Sequence, residues 1–175
     1  TSLATTPYDM AWSLSGDPAP YMFAGTFENC TSLTNIYYPF NELGGTPAEG
    51  MFQQTFKNCN KISSQIPENL FAGINGPLQY HSFYETFYGI VNTSFATNDY
   101  NFIPPKLFSN ITKGSATSDN NAMYNLFSSS NLRTACPATH KRVDTGFEEW
   151  FYYVDGDKSS IKKVACEQCP AHADQ

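Results

Sequence analysis

MFQQTFKNCNKISSQIPENLFAGI, residues 51–74, decides the architecture, because the chain writes it several times. Its first half, M-F-x-x-T-F-x-N-C, already stands at 22–30 as MFAGTFENC. It returns eroded as FYETFYG at 83–89 and as MYNLF at 123–127. Its second half, I-P-x-x-L-F-x-x-I, recurs at 103–111 as IPPKLFSNI. Anchored on the second phenylalanine of the motif, the copies put Phe27, Phe56, Phe87 and Phe127 at spacings of 29, 31 and 40 residues. Self-similarity at such a period implies a stacked array, since one unit cannot bury its apolar face without a neighbour.

Within each unit, Met51, Phe52, Thr55 and Phe56 define one face of a short helix, with Asn29 and Asn58 as stops in the first two copies. The segments Leu33…Ile36 and Ile62…Ile66 that follow suit one strand per coil. Ile66-Pro67 and Ile103-Pro104 require extended backbone before the proline, and Pro67 would open a second helical turn over Glu68–Ile74, ended by Asn75-Gly76. The polar run Thr112–Asn121 falls in the longest gap and reads as an extruded loop. Upstream, Met10, Trp12 and Leu14 alternate with Ala11 and Ser13, a period of two that predicts a short capping strand.

The pattern F-x-N-C-x-x-L-x-x-I at Phe27–Ile36, with F-x-N-C-x-x-I at Phe56–Ile62, resembles the BspA-type (Treponema pallidum type) leucine-rich repeat over about residues 21–135. Ile90 and Ser130 replace the cysteine in the third and fourth copies. The resemblance implies a curved stack with a short-stranded sheet on one face, found on secreted and surface proteins of bacteria and protists involved in adhesion. It brings no catalytic residues. The expected fold is an α/β solenoid: a short leucine-rich-repeat-like stack of coils with one short strand per coil. An N-terminal cap (1–20) precedes the repeats (21–135), and a disulfide-linked β-hairpin (136–175) closes the C-terminal end. The repeat core is expected at Phe23, Phe27, Leu33, Ile36, Phe52, Phe56, Ile62, Ile66, Leu70, Phe71, Phe83, Phe87, Leu107, Phe108 and Phe127.

Residues 136–175 change character. Trp150–Val154 and Ile161–Val164 flank a segment opening on Asp155-Gly156, a hairpin signal. Cys136 is placed to bridge Cys166 or Cys169 across that hairpin. Cys30 and Cys59 occupy equivalent repeat positions, close enough in a stack for a bridge, but a ladder of small buried thiols is the favoured reading because free cysteine is commonly a core residue. Five cysteines leave at least one outside any intramolecular pair, and their use points to an oxidising compartment.

Chemistry is sparse. Cys166-x-x-Cys169 could begin a zinc site with Cys136, His140 and His172, but no second spaced pair completes it. Asp155-x-Asp157-x-Ser159 lacks the glycine and the closing glutamate of a calcium loop. Asp144, Glu148 and Glu149 do not form an acid–base pair on one face, and His81, His140 and His172 are scattered. No cofactor is expected and the chain reads as non-enzymatic. Asn29, Asn92 and Asn110 head sequons, of which Asn92 and Asn110 are the glycosylation candidates.

Charged residues make up only 15% of the chain, and the formal charge of −6 offers no basic stripe for nucleic acid. No apolar run approaches the roughly 20 residues that span a bilayer. The chain opens at Thr1 without an initiator methionine, which fits a cleaved leader or a piece of a longer protein. Together these readings predict a secreted or cell-surface repeat domain that works by protein contact, through a concave strand face rich in Asn, Thr and Tyr. Two alternatives stand beside it. One is a subunit that assembles end to end into an extracellular filament or layer; the other is a glycan-binding module using Trp150, Tyr152 and Tyr153.

Overall fold

The computed structural model describes residues 3–8, 10–11, 14, 16–90, 102–104, 107–108, 110–112, 122–127 and 133–134. Trp12 and the whole of the C-terminal hairpin expectation lie outside them. Residues 21–29, 50–58, 81–89 and 122–127 form ribbons that lie side by side and parallel. Every second N–H of a ribbon donates to a carbonyl of the next. Tyr21, Phe23, Gly25, Phe27 and Asn29 donate to Glu49, Met51, Gln53, Thr55 and Lys57 at 2.8–2.9 Å. The even residues from Gly50 to Asn58 repeat this onto Tyr80 to Tyr88, and Phe83, Glu85 and Phe87 onto Ala122, Tyr124 and Leu126. The intervening N–H groups close turns inside their own ribbon, as Ala24 to Tyr21, Thr26 to Phe23 and Glu28 to Gly25.

The ribbon is therefore a chain of overlapping β-turns. Every fourth residue is left-handed: Tyr21, Gly25 and Asn29, then Gly50, Gln54 and Asn58, then His81, Glu85 and Gly89, then Asn125, all with φ between 52° and 71°. Positive φ at the third turn position is the type II geometry that Gly and Asn adopt most readily. The short helix expected on M-F-x-x-T-F is thus replaced, because a left-handed residue every four interrupts any helix. Glu68–Ile74 is also a run of turns, with Leu70, Ala72 and Ile74 donating to Pro67, Asn69 and Phe71. No helix occurs among the described residues.

The strands are shorter than expected and sit elsewhere. β1 (Gly76–Pro77) pairs in parallel with β3 (Ile111–Thr112), and β2 (Phe102–Ile103) with β4 (Arg133–Thr134). Single parallel bridges join Thr5 to Asn35 and Gly45 to Ile74. Leu33 and Ile36 are both buried, three residues apart, which a straight pleated strand cannot achieve, so that segment keeps one bridge. At the N-terminus the predicted alternation fails too. Ala11 is buried while Leu14 is 43% exposed, and the Leu14 N–H folds back onto the Ala11 carbonyl as a turn.

Stacking ribbons in register stacks their side chains. Phe27, Phe56, Phe87 and Phe127 form one column, with centroids 5.3, 5.6 and 5.5 Å apart and planes within 11°. Phe23, Phe52 and Phe83 form a second, at 5.7 and 5.1 Å. Phe40, Phe71 and Phe108 form a third, at 6.1 and 5.8 Å. Edge contacts such as Phe40–Phe52 and Phe71–Phe83, both 5.1 Å, lock the columns together. Each such pair is worth about 0.5–1.5 kcal/mol beyond area burial. Leu33, Ile36, Ile62, Ile66, Leu70 and Leu107 fill the remaining core. The Thr55 hydroxyl lies 2.8 Å from the Phe52 carbonyl oxygen and 2.9 Å from that of Phe23 in the preceding ribbon, so even the buried polar groups follow the stack.

Where the chain turns between ribbons, backbones touch. A Cβ on Gly73 would stand 2.3 Å from the Leu43 carbonyl oxygen, whereas one on Gly44 meets nothing closer than 3.8 Å. In urea unfolding, Gly73→Ala is expected to lower stability by about 1–3 kcal/mol through backbone displacement. Gly44→Ala should be neutral, or stabilising by up to about 1 kcal/mol through the unfolded chain.

Candidate functional site

The phenylalanine columns take up one side of each ribbon, so the pairs of positions between the buried ones form an outward face. Repeat offsets align these positions into columns: Ala24, Gln53, Tyr84 and Tyr124; Gly25, Gln54, Glu85 and Asn125; Glu28, Lys57 and Tyr88. The first and third of these columns turn from small or polar groups to rings in ribbons three and four, the middle one stays polar, and ribbon one adds the exposed ring of Tyr21, aligned with Gly50 and His81. Tyr80 stacks on His81 at 3.8 Å and His81 meets Tyr84 at 4.5 Å. Tyr84 in turn stacks on Tyr124 at 5.8 Å. Tyr80 and Tyr124 are each 41% exposed. The result is a continuous stripe of rings across two ribbons.

Beside the stripe sits a polar clamp. Glu85 accepts from Lys57 Nζ at 2.6 Å and from Gln54 Nε2 at 2.9 Å, and it also bonds Asn125, so one carboxylate ties three ribbons. Lys57 Nζ additionally lies 5.3 Å from the Tyr88 ring centroid, in cation–π range. Burial alone would raise the Glu85 pKa, but the hydrogen bonds from Lys57 and Gln54 outweigh it and hold the carboxyl below its ordinary value. Burial also works against the Lys57 charge, and Glu85 reverses that, raising the ammonium pKa. Burial lowers the His81 pKa, opposed by Glu49 and Glu85. Glu85 is an ionised clamp and not a proton donor poised near neutrality.

The side formed by the extended segments is polar in another way. Thr34 Oγ1 donates to the Ala4 carbonyl at 3.0 Å, and Thr6 Oγ1 accepts from the Tyr37 N–H at 2.7 Å. Its hydroxyls serve the backbone, leaving Tyr8, Tyr37 and Tyr38 as the exposed rings.

The anticipated site residues divide cleanly. All fifteen expected core positions, from Phe23 to Phe127, are buried. Cys30 and Cys59 are free thiols and not a bridge. The reason is local: Cys59 Sγ is fully buried, 3.0 Å from the Phe27 carbonyl oxygen, while Cys30 is partly exposed. Burial pushes the Cys59 thiol up to about 12. Cys136, Cys166, Cys169, Asn92 and the zinc and calcium readings lie outside the described residues. Among those described, no group of three His, Cys, Asp or Glu could hold a metal ion. Asn110 is exposed, with its amide donating to the Ala72 carbonyl at 2.7 Å, and the Asn29 amide oxygen accepts from Asn58 Nδ2 at 3.0 Å. Sequence reasoning missed Phe40 and the Gln54–Lys57–Glu85 clamp. Both had a signal: Phe40-x-x-Leu43 matches Phe71-x-x-Ile74, and the 31-residue offset aligns Gln54 with Glu85.

Comparison of the chain with family models, curated proteins and solved structures gives no match. No described helix is long and apolar enough to cross a membrane.

Two measurements follow from the electrostatics. Because the folded Glu85 pKa is depressed, its contribution to stability is present above the ordinary glutamate value, about 4.3, and is lost as pH falls through the lower folded value. Thermal unfolding across acid pH should therefore show a decline below that point which Glu85→Gln flattens. For Cys59, raised from its ordinary value, peptide mapping after alkylation at mildly alkaline pH should find Cys30 modified and Cys59 protected until the protein is unfolded.

Proposed function

We propose that this chain is a non-enzymatic contact module: a short solenoid of leucine-rich-repeat-like kind, secreted or held at a cell surface, that presents its third and fourth ribbons to a protein partner. The stripe Tyr80–His81–Tyr84–Tyr124 carries this reading. Tyrosine is enriched at interfaces because it offers a large apolar area with a polar tip. Here the rings are already ordered by mutual stacking, so a partner would immobilise few new rotamers. The ionised Lys57–Glu85 pair supplies a polar rim beside an aromatic centre, the usual anatomy of such surfaces. The resemblance to adhesion repeats agrees with that use.

The glycan reading uses Trp150, Tyr152 and Tyr153, which lie outside the described residues, whereas the orientation of the rings in the described stripe suits a protein partner better than a sugar. A sugar platform presents ring faces to solvent, whereas Tyr80 lies flat on His81 and Tyr84 on Tyr124, with interplanar angles of 18° and 19°. Each of these rings commits one face to a neighbour within the stripe.

The test is retention of protein-coated beads on cells or extracellular matrix. Tyr80→Ser with Tyr124→Ser should reduce retention by roughly tenfold or more, the effect of removing central aromatic anchors. Tyr37→Ser, at a 53% exposed ring on the extended-segment side, should leave it unchanged. Equal retention by both variants, or loss only with Tyr37→Ser, would sink the assignment.

A further inference from the structure

The ladder has a direction. Every N–H that leaves a ribbon points to the next ribbon in sequence, so each ribbon offers carbonyls on its N-terminal side and N–H groups on its C-terminal side. Ribbon one has no predecessor among the described residues. The carbonyls of Met22, Ala24, Thr26 and Glu28 accept no hydrogen bond there, while their equivalents Met51, Gln53, Thr55 and Lys57 each accept one.

Side chains record the same vacancy. Met22 is 37% exposed and its equivalent Met51 is 0%. Thr26 is exposed, whereas Thr55 and Thr86 are fully buried. Thr26 Oγ1 reaches only the Phe23 carbonyl of its own ribbon, but Thr55 and Thr86 each reach a carbonyl of the ribbon before them. Identical residues in identical turns differ only in whether a ribbon covers them. Next to this edge Leu14, Pro18, Met22 and Leu43 line a cavity of about 250 Å³.

We infer that this edge is a seat for a second copy of this chain, which docks head to tail and carries the ladder from one molecule into the next. The edge itself selects that occupant and its orientation. The contact continues an interface the chain already makes between its own ribbons, in the same register and with the same M-F-x-x-T-F chemistry. A β-strand cannot fill the seat, because N–H and C=O alternate along its edge and half its groups would meet carbonyl with carbonyl. Two-fold pairing of the edge with itself would face carbonyls with carbonyls throughout. By the same polarity the last ribbon of a stack, whichever residues form it, turns N–H groups outward, so the contact is heterologous, and copies aligned along one stack axis extend it rather than pair two-fold.

Sedimentation velocity and light scattering of the full chain from micromolar to millimolar concentration test this, with negative-stain microscopy of the products. Wild type is expected to grow continuously in mass and to form linear particles. Met22→Lys, at an already exposed position, should raise the concentration needed by roughly tenfold or more, since a charge would be buried in the contact. Glu68→Lys, at an exposed position after the second ribbon and away from the end, should assemble as wild type, and thermal unfolding should show both variants folded. A monomer at every concentration overturns the inference and gives the seat to a partner of another sequence. A closed two-fold dimer, or equal impairment in the two variants, overturns it as well.

Discussion

The structure depends on one backbone constraint: all N–H groups that leave a ribbon must point the same way along the stack. A β-strand cannot satisfy it, since its successive residues donate to opposite sides. A helix cannot either, because its N–H groups bond within the helix. Overlapping turns can, if every fourth residue is left-handed. That conformation costs a non-glycine residue about 1–2 kcal/mol. Six of the ten left-handed ribbon positions are Gly or Asn, for which the cost is small. The other four each hold a side-chain contact that offsets it. Tyr21 donates to Glu49, Gln54 to Glu85, His81 lies between Tyr80 and Tyr84, and Glu85 accepts from Lys57.

The phenylalanine columns are a consequence of that ladder. Once hydrogen bonds fix the spacing between ribbons, a ring at one repeat position meets its counterpart at stacking distance, and the three columns brace one another edge to face. The repeat length is free to vary because extra residues fall between ribbons, where closing a longer loop costs little. This is why spacings of 29, 31 and 40 give the same registered columns. Packing is then nearly free of choice along the stack and tolerant of variation beside it.

Such a core leaves two kinds of surface with different uses. The outward face is set position by position, without disturbing the ladder, and here the column Ala24, Gln53, Tyr84 and Tyr124 changes from small and polar to aromatic. The end is set by the ladder itself and repeats the chemistry of the interior. The proposed lateral partner and longitudinal neighbour would therefore address different residues, Tyr80 and Tyr124 against Met22 and Thr26, and contact with one would leave the other open. The Lys57–Glu85 clamp serves both, since it fastens ribbons two, three and four beside the ring stripe.

Much of this was written in the chain. The motif spacing places Phe27, Phe56, Phe87 and Phe127 at one position, and the same motif marks which residues go inside. The Gly and Asn residues at 25, 29, 50, 58 and 89 mark the turns. The conformation of the ribbon was not legible, because over nine residues a burial pattern of i, i+1, i+4, i+5 fits a helix of period 3.6 as well as a turn repeat of period four. Only the neighbouring ribbon decides between them, by offering carbonyls that alternate N–H groups can reach. The Glu85 clamp and the Tyr84–Tyr124 contact were hidden for the same reason: partners 28, 31 and 40 residues away meet only once the register between ribbons is set. Sequence by itself determined the repeat and its core, since those follow from the spacing and size of the side chains. Tertiary structure alone decided the ribbon's conformation, its polarity and the surface that polarity leaves open, since each of these is a hydrogen bond between distant parts of the chain.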